Sequence, residues 1–261
     1  MACAGSLSIQ NVPVSGNAVQ NGSLIGTSYS ALNPTGNAIV TANLLVNGAA
    51  GFSKTGAGTV TLAGTNSYTG ATNVTVGTLL VNGSIATSAT TVSGTGTLGG
   101  TAGTTGAVTI NSGGTLFPGT SASLGVLNTG AVSLTASGTF HLDLNTSTVA
   151  ASEIKATGNL TLDPASILAL TDLGANVALA PNTTLPIIDY SGTWNGGTFA
   201  GLPDDSTFAF GANIFTINYN ATDAGVNAVT LTAQPTPEPG SVALLGISAL
   251  LLASRRRART L

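Results

Sequence analysis

Lys54-Thr55-Gly56-Ala57-Gly58-Thr59-Val60-Thr61-Leu62, continued by Gly64-Thr65-Asn66-Ser67-Tyr68-Thr69-Gly70 and Gly77-Thr78-Leu79-Leu80-Val81-Asn82-Gly83, decides the fold. In Thr59-Val60-Thr61-Leu62 the valine and leucine share one side of an extended chain and the threonines the other, and Asn73-Val74-Thr75-Val76 repeats the pattern. Alternation with period two is the mark of a half-buried strand. Thr and Val are β-branched and suit a pleated surface. Glycines at 56, 58, 64, 70, 77 and 83 are expected to turn the corners with positive φ. Short strands with a corner after each form the rungs of a parallel β-helix, Val and Leu stacking inside and Thr and Asn ladders outside. One rung cannot bury its apolar face alone, so stability comes from stacking.

Self-similarity extends beyond this stretch. Leu44-Leu45-Val46-Asn47-Gly48 recurs at Leu79–Gly83, and Thr105–Ile110 recurs loosely at Thr129–Leu134. Ser112-Gly113-Gly114-Thr115-Leu116-Phe117 is echoed by Ser137-Gly138-Thr139-Phe140. Repetition at a few tens of residues points to a solenoid. The Lys54–Gly83 segment resembles the autotransporter-associated β-strand repeat, and Ser112–Gly119 is similar to the segment that often follows such repeats. The resemblance implies a β-helical, passenger-like surface protein. No large membrane barrel follows, so the resemblance does not extend to self-transport.

The predicted fold class is therefore all-β: a right-handed parallel β-helix with a β-rich C-terminal cap, followed by a short C-terminal transmembrane helix. Residues 1–38 read as a polar opening segment with brief strands around Val12/Val14 and Leu24/Ile25, and 39–140 as the repeat β-helix. Residues 141–233 read as an acidic, aromatic-containing β-cap. It shows helix formers briefly at Val149–Lys155 and strands at Ser166–Leu170, Leu185–Tyr190, Phe208–Phe210, Ile214–Tyr219 and Val226–Leu231. The cap seals a rung edge that would otherwise invite edge-to-edge association.

Residues 234–261 differ in kind. Pro235, Pro237 and Pro239 end the fold. Gly240–Ser254 carries no charge, and Arg255, Arg256, Arg257 and Arg259 follow, four of the six basic residues of the chain. Fifteen helical residues span about 22 Å against a hydrocarbon core of about 30 Å. The run is thus a short anchor whose arginines remain cytoplasmic. An Arg cluster directly after an all-round apolar run does not suit a helix buried inside a fold. Pro237-Glu238-Pro239, the apolar run and the Arg cluster resemble the PEP-CTERM sorting signal of bacterial exported proteins. That resemblance implies an exosortase-type membrane transpeptidase as partner, a transient stay at the inner membrane, and release to the cell surface or extracellular matrix. Met1–Gln10 shows neither a basic n-region nor an apolar run, so a leader upstream of Met1 is expected. Cys3, the only cysteine, offers no intrachain disulfide, and with nothing apolar before it does not read as a lipidated cysteine.

Composition narrows the function. Charged residues make up 6% of the 261, and up to Leu142 the only one is Lys54. Outside the four arginines, Lys54 and Lys155 face nine carboxylates, a formal charge of −7. No basic patch exists there for nucleic acid. Polysaccharide cleavage requires clustered carboxylates and a cation, and the repeat region has one lysine and no carboxylate. His141, the only histidine, shares a strand face with Asp143, which allows proton transfer but more readily describes a solvent-facing strand. Asp204-Asp205 after Pro203 reads as a turn rather than a catalytic or calcium-binding pair. Tyr190 and Trp194 are the candidates for stacking on a sugar ring. The expectation is a non-enzymatic exported structural protein without cofactor or metal, in contact with extracellular polysaccharide or copies of itself. A carbohydrate-binding adhesin and a polysaccharide-cleaving β-helix using Asp143, Asp204 or Asp205 are the rivals.

Overall fold

The computed structural model describes residues 7–9, 18–19, 23–26, 28–32, 35–40, 43–46 and 49–235. Strands in these residues stack into a three-faced solenoid. The first face is built from Leu7–Ile9, Tyr29–Ala31, Phe52–Lys54, the start of Thr72–Val81, the start of Thr90–Gly100, Val108–Ile110, Val132–Leu134 and Leu160–Leu162, each paired in parallel with the next. The second face stacks Ala18–Val19, Asn37–Val40, Thr59–Leu62, the ends of those two long strands, Thr115–Pro118, Thr139–Asn145 and Ile167–Asp172. On the third face Ser23–Gly26 pairs Asn43–Val46, and after a gap Ser84–Ile85, Thr104–Thr105, Val126–Thr129, Glu153–Ala156 and Thr184–Tyr190 continue. The PEP-type tail, with its predicted anchor helix, and the predicted strand around Val12/Val14 lie outside the described residues. Among the described residues no helix is long and apolar enough to cross a membrane.

Alternation along each strand builds the interior. Val60, Leu62, Val74, Leu79, Val92, Leu98, Ile110, Leu116, Leu134 and Phe140 are fully buried, and Thr59, Thr61, Thr91, Thr109 and Thr139 point out. The 24-residue recurrence is a true register: Val108 lies beside Val132, Ile110 beside Leu134, and Leu116 beside Phe140. The 35-residue recurrence is not. Leu44 belongs to the third face and Leu79 to the second, where it stacks between Val60 and Leu98. Rung length is the reason: the first face advances 18 residues from Thr72 to Thr90 but 28 from Val132 to Leu160.

The corner glycines work differently from the expectation. Of the six in the deciding stretch only Gly77 has positive φ, +71°. Gly70 and Gly83 are glycine because of the neighbouring rung. A Cβ on Gly70 would lie 2.4 Å from the Ala49 carbonyl oxygen, and one on Gly83 2.1 Å from that of Gly64. Bare α-carbons let successive backbones approach at the corners. Lys54 was another surprise, because its alternation turns it inward. It is fully buried between Ala31 and Val74, its ammonium donating to the carbonyls of Gly56 and Val76.

Strand Thr139–Asn145 crosses the point where acidic residues begin, and parallel stacking continues through Thr184–Tyr190. The helix formers at Val149–Lys155 contribute no helix. They form a short antiparallel return, Ala150–Ala151 onto Leu144 and Asn145, and the third-face strand Glu153–Ala156. Tertiary pairing overrides weak local propensity here. Beyond Tyr190, after one more parallel bridge from Trp194 to Leu160, the pairing turns antiparallel: Val226–Ala233 adds to Thr184–Tyr190, Asn213–Asp223 to Val226–Ala233, and Thr207–Phe210 to Asn213–Asp223. These strands and the 191–203 segment close the C-terminal end of the stack with aromatic rings. Phe199 stacks 6.2 Å from Phe140, and Tyr219 tilts against Phe199 at 5.9 Å.

Candidate functional site

The regular feature of the outer surface is a pair of side-chain columns. On the first face the strand register lines up Ser30, Ser53, Asn73, Thr91, Thr109, Ser133 and Thr161, one per rung. On the second it lines up Asn37, Thr59, Thr78, Thr97, Thr115 and Thr139. Strand pairing spaces members of a column by about 4.8 Å. Neither column carries a charge. Such a surface offers hydroxyl and amide groups at a fixed repeat, suited to a partner that is itself periodic, and supplies no long-range electrostatic attraction.

Asparagines clamp the corners between rungs. The carboxamide oxygen of Asn82 accepts from the Thr101 amide at 2.9 Å, that of Asn159 from Thr193 at 3.0 Å, and that of Asn195 from Leu162 at 3.1 Å. Their abundance has a structural cause, which composition alone did not reveal.

His141 and Asp143 do come together, with Nε2 3.4 Å from Oδ1. The same Nε2 lies 3.0 Å from the Thr171 hydroxyl, and the ring packs on Phe117 at 4.4 Å between centroids. A relay that activates a hydroxyl uses both ring nitrogens, one toward the carboxylate and one toward the nucleophile. Here both contacts converge on one nitrogen, so this geometry does not activate Thr171. Asp143 is only 1% exposed; burial pushes its carboxyl up, against an opposing pull from His141.

Asp204 and Asp205 support the neighbouring strand. Asp204 Oδ1 accepts from the Tyr219 amide at 2.9 Å and Asp205 Oδ1 from the Asn218 carboxamide at 2.6 Å. Asp205 has φ +59°, as a turn residue does. Tyr190 and Trp194 belong to the closing aromatic cluster. Tyr190 is 3% exposed and its hydroxyl donates to the Tyr219 carbonyl at 2.8 Å. Trp194 lies flat against Tyr219, 5.5 Å between centroids at 8°, and its indole N–H donates to the Gly197 carbonyl. One face of Trp194 is thereby occupied, and Tyr190 presents no ring to a sugar.

The charged cluster that sequence reading missed sits on the outside of the third face. Lys155 Nζ lies 3.2 Å from Glu153 Oε2 and 3.3 Å from Asp189 Oδ2. Asp223, at the end of its cap strand, completes a group of three carboxylates with one oxygen of each within 4.8 Å of the others. Glu153, Asp189 and Asp223 are 36 and 34 residues apart, so no local motif announces them. The available signal was Asp189, a lone acid closing the apolar run Leu185–Tyr190.

The titration of this cluster predicts how stability responds to pH. Burial, and then the hydrogen bond and charge of Asp189, push the Glu153 carboxyl up to about 7, with Lys155 opposing. The folded chain keeps this proton between about pH 4.5 and 7 while the unfolded chain loses it, so stability falls as pH rises through that window, by on the order of 2 kcal/mol. Burial pushes the Lys54 ammonium down to about 8. The folded chain sheds that proton first, so stability recovers as pH rises from about 8 toward 10. Urea midpoints at pH 5, 7.5 and 9.5 in chelator are therefore expected to pass through a minimum at pH 7.5. Glu153→Gln should flatten the acidic branch and Lys54→Met the alkaline one; unchanged branches in both variants would refute the assignment.

Comparison with known proteins bears on the deciding stretch. Residues 52–81 match the family model described as the passenger-associated transport repeat. The match begins at the first-face strand Phe52–Lys54 and ends at Val81, where the second-face strand of the next rung ends. No curated protein matches the chain.

Proposed function

Taking a passenger-type repeat at 52–81 as premise, we propose that this is an exported structural protein of the cell surface or extracellular matrix, with no catalytic role. The observation that carries the reading is the pair of uncharged outward columns, running rung after rung over a body whose interior is filled by Val, Leu and aromatic side chains. They favour contact with a periodic neutral partner, a polysaccharide or further copies of the chain, over a small-molecule substrate. In this reading Pro237-Glu238-Pro239 with Gly240–Ser254 and Arg255, Arg256, Arg257 and Arg259 form the sorting signal. An exosortase-type transpeptidase at the inner membrane processes the chain near Pro239 and releases it outward. The adhesin rival keeps the same surface but cannot use Tyr190 as a stacking platform.

The test is the intact mass and location of the mature protein in its native cell. Expected is a product lacking everything from about Pro239 onward, recovered outside the inner membrane. A chain ending at Leu261 and retained in the inner membrane would overturn the sorting reading. Replacing the four arginines with glutamate should give unprocessed, mislocated chain, with the body unchanged.

A further inference from the structure

We propose that the second face binds a neutral, β-linked glycan chain laid along the solenoid axis. Its sugar rings rest on Leu80, Phe117 and His141, and its hydroxyls meet Thr78, Thr97, Thr115 and Thr139. The inference deepens the reading of the body as a surface that contacts polysaccharide, and rests on it. Beside the threonine column the same strands carry a second outward column, in which Leu80 lies next to Gly99 and Gly99 next to Phe117. His141 follows, its ring 4.4 Å from that of Phe117, and then Ala169. Leu80, Phe117 and His141 are all partly exposed. Gly99 must stay bare, since a Cβ there would lie 2.5 Å from the Phe117 carbonyl oxygen and 3.2 Å from Leu80 Cδ2. Ala169 adds a single methyl. The aromatic pair therefore stands above its column neighbours as a platform, and the His141 ring is held in place by Thr171 at 3.0 Å and Asp143 at 3.4 Å.

The chemistry of the two columns is that of a sugar site. Aromatic and aliphatic faces take up the C–H face of a sugar ring, and a few hydroxyls beside them fix its orientation. The hydroxyls of Thr78, Thr97, Thr115 and Thr139 are partly exposed and make no hydrogen bond within the described residues. At the border of the first face, by contrast, Thr75 and Thr135 donate theirs to the carbonyls of Lys54 and Ile110. The first-face column has no aromatic companion, which selects the second. Four rungs spaced by about 4.8 Å make the platform about 14 Å long, so it suits an extended chain over a single sugar. The strands that bear it hold no charged side chain before His141 and Asp143, and Asp143 is only 1% exposed. A polyanion therefore finds no lysine or arginine there. A second copy of this chain is a poorer occupant: a stable protein interface buries about 800 Å² on each side around an apolar centre, and this strip is one residue wide.

The experiment measures binding of the purified chain to microcrystalline cellulose and to chitin, with alginate as the anionic counter-probe. Expected is retention on at least one neutral glycan and none on alginate, unchanged between about 50 and 500 mM salt. Phe117→Ala should weaken retention at least about tenfold. Thr115→Val, which keeps the β-branched shape and removes the hydroxyl, should weaken it about threefold to tenfold. Thr207→Val, exposed on the cap strand, should leave it unchanged. Thermal midpoints of all variants are taken alongside; if Phe117→Ala folds poorly, Thr115→Val decides. Absence of retention on both neutral glycans would overturn the site, as would equal retention by wild type, Phe117→Ala and Thr115→Val. Sedimentation that shows a dimer abolished by Phe117→Ala, without glycan retention, would overturn it in favour of a second copy. None of these outcomes bears on the sorting of the chain, which is read from mature mass and location.

Discussion

Gly83→Ala is expected to cost about 3 kcal/mol or more, and to lower the urea midpoint to where the solenoid barely holds. The added Cβ would sit 2.1 Å from the Gly64 carbonyl oxygen and 2.6 Å from the Ala63 carbonyl carbon. Both are backbone atoms of the preceding rung. That rung cannot retreat without breaking its own pairing, because the Ser84 amide donates to this same Gly64 carbonyl at 3.0 Å. Gly36→Ala is the control. Gly36 has φ +77°, and a Cβ there would meet nothing within 4 Å, so only the left-handed conformation is penalised, at about 1 kcal/mol. Equal losses in the two variants would mean that backbone conformation, not close approach of rungs, fixes these glycines.

Asn66→Ala should produce the second large effect, and a more local one. The third face is interrupted at this rung: between Asn43–Val46 and Ser84–Ile85 only an isolated bridge, Thr65 to Ser84, remains. The Asn66 side chain fills the gap as a substitute for strand backbone. Its oxygen accepts from the Leu44 amide at 2.9 Å, and its nitrogen donates to the carbonyls of Gly64 and Ser84, both at 3.0 Å. Asn66 is buried, so truncation leaves the Leu44 amide without its acceptor and removes the second bond from the carbonyls of Gly64 and Ser84, which keep the backbone amides of Ser84 and Asn66, at about 3 kcal/mol. Solenoid stability is a sum over neighbouring rungs, so the damage should stay near the break. Native-state hydrogen exchange is the measurement. Protection of the Leu44 amide should fall by about two orders of magnitude, while Leu134 and Leu142 keep theirs. Asn66→Asp should not rescue it, because it restores the acceptor but loses the donor and buries a charge. Unchanged protection at Leu44 would refute the clamp.

Much of this architecture was legible in the chain. Alternation in Thr59–Leu62 and Asn73–Thr75 assigned the inward and outward sides correctly, whereas Val76, next to the Gly77 corner, is only partly buried. The five strands anticipated after Phe140 are all present: Ile167–Asp172, Thr184–Tyr190, Thr207–Phe210, Asn213–Asp223 and Val226–Ala233. The 24-residue echo located a real register. The identical Leu-Leu-Val-Asn-Gly pentapeptides misled, because similarity reports a strand that ends in a turn and says nothing of which face it occupies.

The candidate sites were less legible, for a physical reason. His141 with Asp143 and Asp204 with Asp205 were visible as local pairs, and local pairs on one strand or turn are usually engaged with their own surroundings. The acidic cluster was invisible because rungs of unequal length decide which distant residues share a height on the stack. Sequence by itself determined the strand period, the uncharged exterior, the all-β class and the change of character after Phe140, since each follows from the order of residue types along a few consecutive positions. Only the tertiary structure decided that Gly83 is fixed by a neighbouring carbonyl, that Lys54 turns inward, that Asn66 replaces a strand, and that Glu153, Asp189 and Asp223 meet. Each of those depends on the lateral register between rungs, which is set by the summed lengths of all the loops between them and not by any one segment.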